Sequence, residues 1–248
     1  MQPVWIEETY VKTYETDFKG HMKPSCLVQN LTEAASRHAA NLGYDYPALW
    51  ERGMVWVLSR IKVHINAPLL MGERAIIKTW PKGIQQKLFF MRDFELHAPD
   101  GTHLASASSA WLLINPIARR IMAPQSLGGD IPDNNGIAAL AEPLEKIAIP
   151  ENLTPQRTVE ASYSATDLLG HVNSARYVDW VCDCFSHDDH LAHRLEWLQI
   201  NYNNETKPGE RLAIATTPDP ANPANWFIQG TNLESGLRSF DAALGWES

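Results

Sequence analysis

Three cysteines in 248 residues, Cys26, Cys182 and Cys184, are too few and of the wrong parity for a disulfide framework, and they predict free thiols in a reducing compartment. No stretch approaches the ~20 apolar residues of a membrane helix. The opening MQPVWIEETYVK has no basic region leading into an apolar run, so a cytoplasmic protein is expected. Positive charge is scarce as well: 21 Lys and Arg against 29 Asp and Glu give a net charge of −8, which offers no footprint for nucleic acid or an anionic membrane surface. The chain lacks a Gly-x-Ser-x-Gly elbow, a phosphate loop and a dinucleotide fingerprint, which removes serine hydrolase, nucleotidase and oxidoreductase chemistry. The histidine-rich run HDDHLAH at 187–193 has no closed four-ligand pattern and no partner segment, so it reads as a solvated helix end. Cys182 and Cys184 fall on different sides of a helix and make no redox pair. Neither a metal nor a cofactor is expected.

What remains is a globular composition, 44% hydrophobic and 20% charged, with length for one large or two ordinary domains. The chain is internally repeated. Thr16-Asp17-Phe18-Lys19-Gly20-His21 returns 150 residues later as Thr166-Asp167-Leu168-Leu169-Gly170-His171, and Gly72-Glu73-Arg74 with Thr79 and Pro81 returns after 137 as Gly209-Glu210-Arg211 with Thr216 and Pro218. Two matches in the same order predict a duplicated unit.

Each copy reads as one strand, one helix and a run of strands. In the first, a strand at 4–15 precedes a helix at 25–43 whose buried face is Leu27, Leu31, Ala34, Ala35, His38 and Leu42. Strands follow at 54–67, with Val55, Val57, Ile61, Val63 and Ile65 on one face, and at 73–80, 85–98 and 102–115, the last two joined by an Asp100-Gly101 turn. The second copy has a strand at 157–165, a helix at 174–186 with the stripe Tyr177, Trp180, Val181, Cys184 and Phe185, and strands near 195–205, 210–217, 225–233 and 237–246. The proline-rich 123–156 is the expected linker between domains at 1–122 and 157–248. A helix covering one face of an antiparallel sheet is an α+β layer, and pairing two such units protects edges that one would expose.

The segment TDLLGHVNSARYVDW at 166–180 concentrates the candidate chemistry. A helix N-terminus presents unpaired N–H groups and partial positive charge, so a carbonyl oxygen placed there is stabilised as it becomes anionic. Gly170 lets backbone approach closely. Asp167 and His171 flank it as an acid and an imidazole able to handle protons or orient water. The plain alternative is a turn and a cap, with Asn173 or Ser174 accepting from the first-turn N–H groups.

With the repeat, the Asp-x-x-Gly-His-Val-Asn segment at 167–173, Tyr177 in the following helix and the strand INYNNET at 200–206, the chain resembles the double-hotdog acyl-acyl-carrier-protein thioesterases of bacteria and plants. The resemblance implies a tandem hotdog, two antiparallel sheets each wrapped around a long helix. The first hotdog would house the acyl chain, along the 27–42 helix and the 54–65 strand, and the second would hold the catalytic residues. It implies water-mediated hydrolysis of an acyl thioester with Asp167, His171 and Glu205, Glu205 as general base, and oxyanion donors near Gly170. It also implies acyl carrier protein as partner, met by basic candidates Lys82, Lys87, Arg92, Arg119 and Arg120, in a monomer or homodimer. One position departs: where the family has Asp-x-Asn-x-His, this chain has Leu169, which neither donates nor accepts. Asn173 or a backbone N–H is then the substitute. An acyl-CoA thioesterase and a catalytically weak acyl-binding protein stay open as alternatives. In the first copy Asp17, Gly20 and His21 are kept, yet Pro68 stands where the second has Glu205, an incomplete site.

Overall fold

The computed structural model describes residues 2–247, and two compact units divide between Leu144 and Glu145. The first contains β1 (Trp5–Tyr10), α1 (Pro24–Asn41), α2 (Tyr46–Glu51), β2 (Val55–Ile65), β3 (Arg74–Gln85), β4 (Phe89–His97), β5 (His103–Asn115) and β6 (Arg120–Ile121). Its antiparallel sheet runs β1-β3-β4-β5-β2, with β6 on β5. Pro24 opens α1 at a position where a missing N–H costs nothing. The six residues expected on its inner face, Leu27 to Leu42, are all buried. Between α1 and β2 lies α2, which is too short for periodicity to reveal and is started by Asp45 accepting from the Ala48 N–H.

In β2 the single apolar face expected from the sequence is split. The register passes from Leu58 opposite Trp111 to Arg60 opposite Ala110, so Ser59 is bulged out. One extra residue reverses the alternation, and Ile61 and Val63 share their face with Leu58 rather than with Val57. The stretch expected as a linker is, up to Leu144, strapped along the first unit. Leu127 and Leu144 are buried in it, Asn134 Nδ2 donates to the Pro81 carbonyl, Trp80 Nε1 donates to the Ile137 carbonyl, and the Ala139 N–H donates to Asp93.

The second unit contains β7 (Thr154–Glu160), α3 (Ser174–Cys182), α4 (His187–Ala192), β8 (Leu195–Tyr202), β9 (Arg211–Asp219), β10 (Asn222–Asn232) and β11 (Arg238–Trp246). Its sheet runs β8-β11-β10-β9-β7, antiparallel throughout. The helix expected at 174–186 stops at Cys182, because Ser186 and Asp189 form a capping box that starts α4. HDDHLAH is therefore mostly a separate short helix, not the end of a longer one. Of the expected stripe, Tyr177 and Val181 are buried on α3. Phe185 lies beyond the helix and packs edge-on against Trp226 and Trp246. Phe94 and Phe240, fully buried in their respective sheets, anchor the two cores, each worth ~1.5–3 kcal/mol of apolar burial. Among the described residues no helix is long and apolar enough to cross a membrane.

Candidate active site

The two copies of Thr-Asp-x-x-Gly-His fold into the same loop. Each follows a short 3-10 turn, Thr13–Glu15 in one unit and Tyr163–Ala165 in the other, and each is pinched by an isolated bridge, Thr16 with Met22 and Thr166 with Val172. The Asp17 N–H donates to the His21 carbonyl at 2.8 Å and the Gly20 N–H to the Asp17 carbonyl at 3.0 Å; Asp167, His171 and Gly170 repeat this at 2.9 and 3.0 Å. Closing the loop requires positive φ at the glycine, 76° at Gly20 and 74° at Gly170. The aspartate folds its own turn: Asp17 Oδ1 accepts from the Lys19 and His21 N–H groups, and Asp167 Oδ1 from the Leu169 N–H at 2.9 Å.

The loops differ in what lies beside them. The Met22 N–H donates to the Leu69 carbonyl, and the equivalent Val172 N–H to the Thr206 carbonyl. That match sets Pro68 against Glu205, as the 137-residue repeat shift requires. In the second unit the imidazole of His171 meets the carboxylate of Glu205, Nε2 to Oε2 at 3.1 Å, with the two side chains 31% and 36% exposed. A carboxylate that accepts from one ring nitrogen fixes the tautomer and raises the imidazole's basicity, and the pair is open enough to receive water.

Three site expectations change. Glu205 is not on the strand: β8 ends at Tyr202, because Asn203 and Asn204 both turn their N–H groups to the Ser239 carbonyl. Glu205 then lies in the turn after β8, while Gln199 and Asn201 are buried within the strand. The Gly170 N–H is engaged within its own loop and is not a donor for an oxyanion. Asn173 caps α3, its Oδ1 accepting from the Ala175 N–H at 3.0 Å. In the first turn of α3 this leaves the Ser174 N–H with no partner among the described residues, a donor at the positive end of the helix that the sequence did not single out. Leu169 sits in the loop with its side chain partly exposed.

Below the loop, aromatic packing sets the spacing. Tyr202 donates its hydroxyl to the Ser174 carbonyl at 3.0 Å, and Tyr177 stands edge-on to Tyr202 and Phe240, with centroids 5.7 and 5.4 Å apart. Burial pushes Tyr177 up to about 12 against the opposing hydrogen bond from Thr206, and it raises Tyr202 further. Both phenols stay neutral and hold the start of α3 against the end of β8. Two basic candidates for a docking patch are already engaged: Arg92 is buried, and the partly exposed Lys82 pairs with the buried Asp93 at 3.0 Å.

The first unit carries a cavity of about 240 Å³ lined by Ala35, Ala39, Trp56, Phe90, Arg92 and Trp111, among others. It lies where α1 presents the small side chains Ala35 and Ala39 opposite the large aromatic ones Trp56, Phe90 and Trp111.

A helix laid on an antiparallel sheet, built twice in one chain and with one of two equivalent loops fitted with an acid, defines a double-hotdog protein. Residues 3–125 match the family described as the acyl-ACP thioesterase N-terminal domain, and residues 153–247 the acyl-ACP thioesterase C-terminal domain. The chain belongs to the acyl-ACP thioesterase family. The crystal structure of an acyl-ACP thioesterase from Bacteroides thetaiotaomicron superposes with a TM-score of 0.83 at 25% identity, over 99% of this chain and 98% of that one. The 12:0-ACP thioesterase of Umbellularia californica has the same fold, with a TM-score of 0.79 at 17% identity over 100% and 98% of the two chains. The palmitoyl-acyl carrier protein thioesterase of Gossypium hirsutum, a chloroplastic protein, is 24% identical over 97% of this chain. This chain spans 61% of that relative's length.

Proposed function

We propose that this protein hydrolyses fatty acyl thioesters carried on acyl carrier protein, releasing the free fatty acid, with the reaction at the second unit's loop. The observation that carries the reading is the 3.1 Å contact between His171 and Glu205 beside the N-terminus of α3, in a chain matched by both domains of the family. The Glu205–His171 pair takes a proton from water as its oxygen attacks the thioester carbonyl carbon. The developing oxyanion lies at the Ser174 N–H and the positive end of α3. Collapse of the intermediate breaks the C–S bond, and the proton held by the pair passes to the departing thiolate. Asp167 keeps the loop folded so that His171 faces Glu205. Asn173 acts first through its cap on α3. The acyl chain is taken by the first unit's cavity, whose walls include the α1 and β2 positions expected for it. No step calls for a metal or cofactor. The three unbridged cysteines support a cytoplasmic setting.

Leu169 favours a second reading, an acyl-binding protein with slow or absent turnover, since removing one preorganised donor typically costs ~10²–10³ in rate. Thiol release from medium- and long-chain acyl-carrier-protein and acyl-CoA thioesters separates the readings. The hydrolase reading expects faster turnover on the carrier protein and a fall of ~10²-fold or more in His171→Ala and Glu205→Ala. Binding without thiol release establishes the second reading, and faster turnover of the CoA esters reassigns the carrier.

A further inference from the structure

We propose that the first unit's cavity selects acyl chains that carry an oxygen acceptor away from the thioester, a hydroxyl, keto or carboxylate group, and that Arg92 is the selecting residue. This rests on reading the cavity as the acyl-chain site. An alkyl-only pocket has no use for a guanidinium, yet Arg92, at the middle of β4 and only 9% exposed, forms part of this otherwise largely apolar wall.

The environment of Arg92 leaves it under-bonded. Both of its hydrogen bonds leave from Nη1, to His38 Nδ1 at 3.0 Å and to the Thr79 hydroxyl at 3.1 Å. The other ring nitrogen of His38 faces the Gln2 carbonyl at 2.8 Å. Nε2 therefore carries the proton, Nδ1 accepts, and the imidazole is neutral. The Thr79 hydroxyl donates in turn to the Asp93 carbonyl. Neither partner offsets the positive charge. Among the described residues the three remaining N–H groups, on Nε and Nη2, have no acceptor.

The nearby carboxylates do not supply one. Asp93 is on the opposite face of β4, where it is satisfied by Lys82, Ser108 and the Ala139 N–H. Asp133, exposed on the cavity's lining, accepts from the backbone and side chain of Asn135 and makes no ion pair with Arg92. Burial brings Arg92 down to about 10, so it stays charged at neutral pH. Buried arginines are rare without a partner. A plain chain filling the cavity would strip water from those three N–H groups and return nothing. A chain oxygen would return a hydrogen bond, and a carboxylate two parallel ones at Nε and Nη2.

The test uses the full chain, wild type and Arg92→Met. Calorimetry with methyl decanoate, methyl 10-hydroxydecanoate and monomethyl decanedioate, whose ester ends are alike, compares only the distal group. The same acyl groups on acyl carrier protein give kcat/KM ratios. The oxygenated chains should be preferred by roughly 10²-fold in wild type, the scale of a hydrogen bond to a charged group. Arg92→Met should reverse the order, and the hydroxyl and carboxyl arms identify which oxygen is read. Equal or better binding of methyl decanoate by wild type overturns the inference without needing the variant to fold. It is also overturned if Arg92→Met lowers the melting temperature and leaves the ratios unchanged, since Arg92 would then only brace α1 through His38. Turnover of acyl-carrier-protein thioesters without preference sinks this inference alone; failure of every chain to bind or react removes the acyl-chain reading with it.

Discussion

Alanine at Gly170 and at Gly20, made as separate variants, isolates what the second loop does. The two glycines hold φ of 74° and 76°, and a Cβ added at either meets no atom within 4 Å. The cost is thus backbone strain alone, about 1–2 kcal/mol for an L-residue in the left-handed region. For a chain of this size that lowers the melting temperature by about 2–8 °C, the same in both variants. Activity should separate them. Only the second loop sets a histidine against an acid, 3.1 Å apart, and a misplacement of about 1 Å at such a pair costs ~10²-fold in rate. Scanning calorimetry and thiol release on the same preparations read both quantities. An equal loss of activity in Gly20→Ala would refute the assignment of the chemistry to the second loop. Unchanged melting temperatures would refute the strain argument.

Asn173→Ala should lose about 1 kcal/mol as α3 loses its cap, and Asn173→Ser should restore stability. If Asn173→Ser restores activity too, the cap is the residue's whole role; activity still lost in a stable Asn173→Ser protein shows that the amide itself is required. His38 is fully buried, and its pKa is lowered, first by burial and then by the Arg92 charge, against the Gln2 carbonyl, which raises it. The unfolded state therefore binds the proton more readily. Stability contributed by neutral His38 is complete above about pH 6.5 and is lost as pH falls toward the folded value, at no more than about 1.4 kcal/mol per pH unit. His38→Gln should flatten urea-unfolding free energies between pH 7 and 5, and an unchanged slope would show that His38 does not titrate on unfolding.

The repeated loop was legible because its parts are local. An aspartate that folds its own turn, a glycine that must adopt positive φ and a histidine four residues after the aspartate are fixed by spacing alone, and both copies carry them. The inner face of α1 was legible for the same reason. The split face of β2 was not, since a bulge at Ser59 is set by pairing with β5 and leaves no mark in the alternation. The end of α3 was missed because apolar residues continue past it to Phe185 while Ser186 and Asp189 begin another helix.

The sequence by itself determined that the unit is duplicated, that the second loop differs from the first by an acid in place of a proline, and which residues could act there, because side-chain chemistry and turn geometry travel with short segments. The tertiary structure alone decided that Glu205 reaches His171 from the turn after β8, that the Gly170 amide is already used while that of Ser174 is open, and that Arg92 lies in a cavity wall rather than on a docking surface. Each depends on which distant backbone group or side chain supplies the hydrogen-bond partner, and that is settled only when strand register and helix packing bring separate segments into contact.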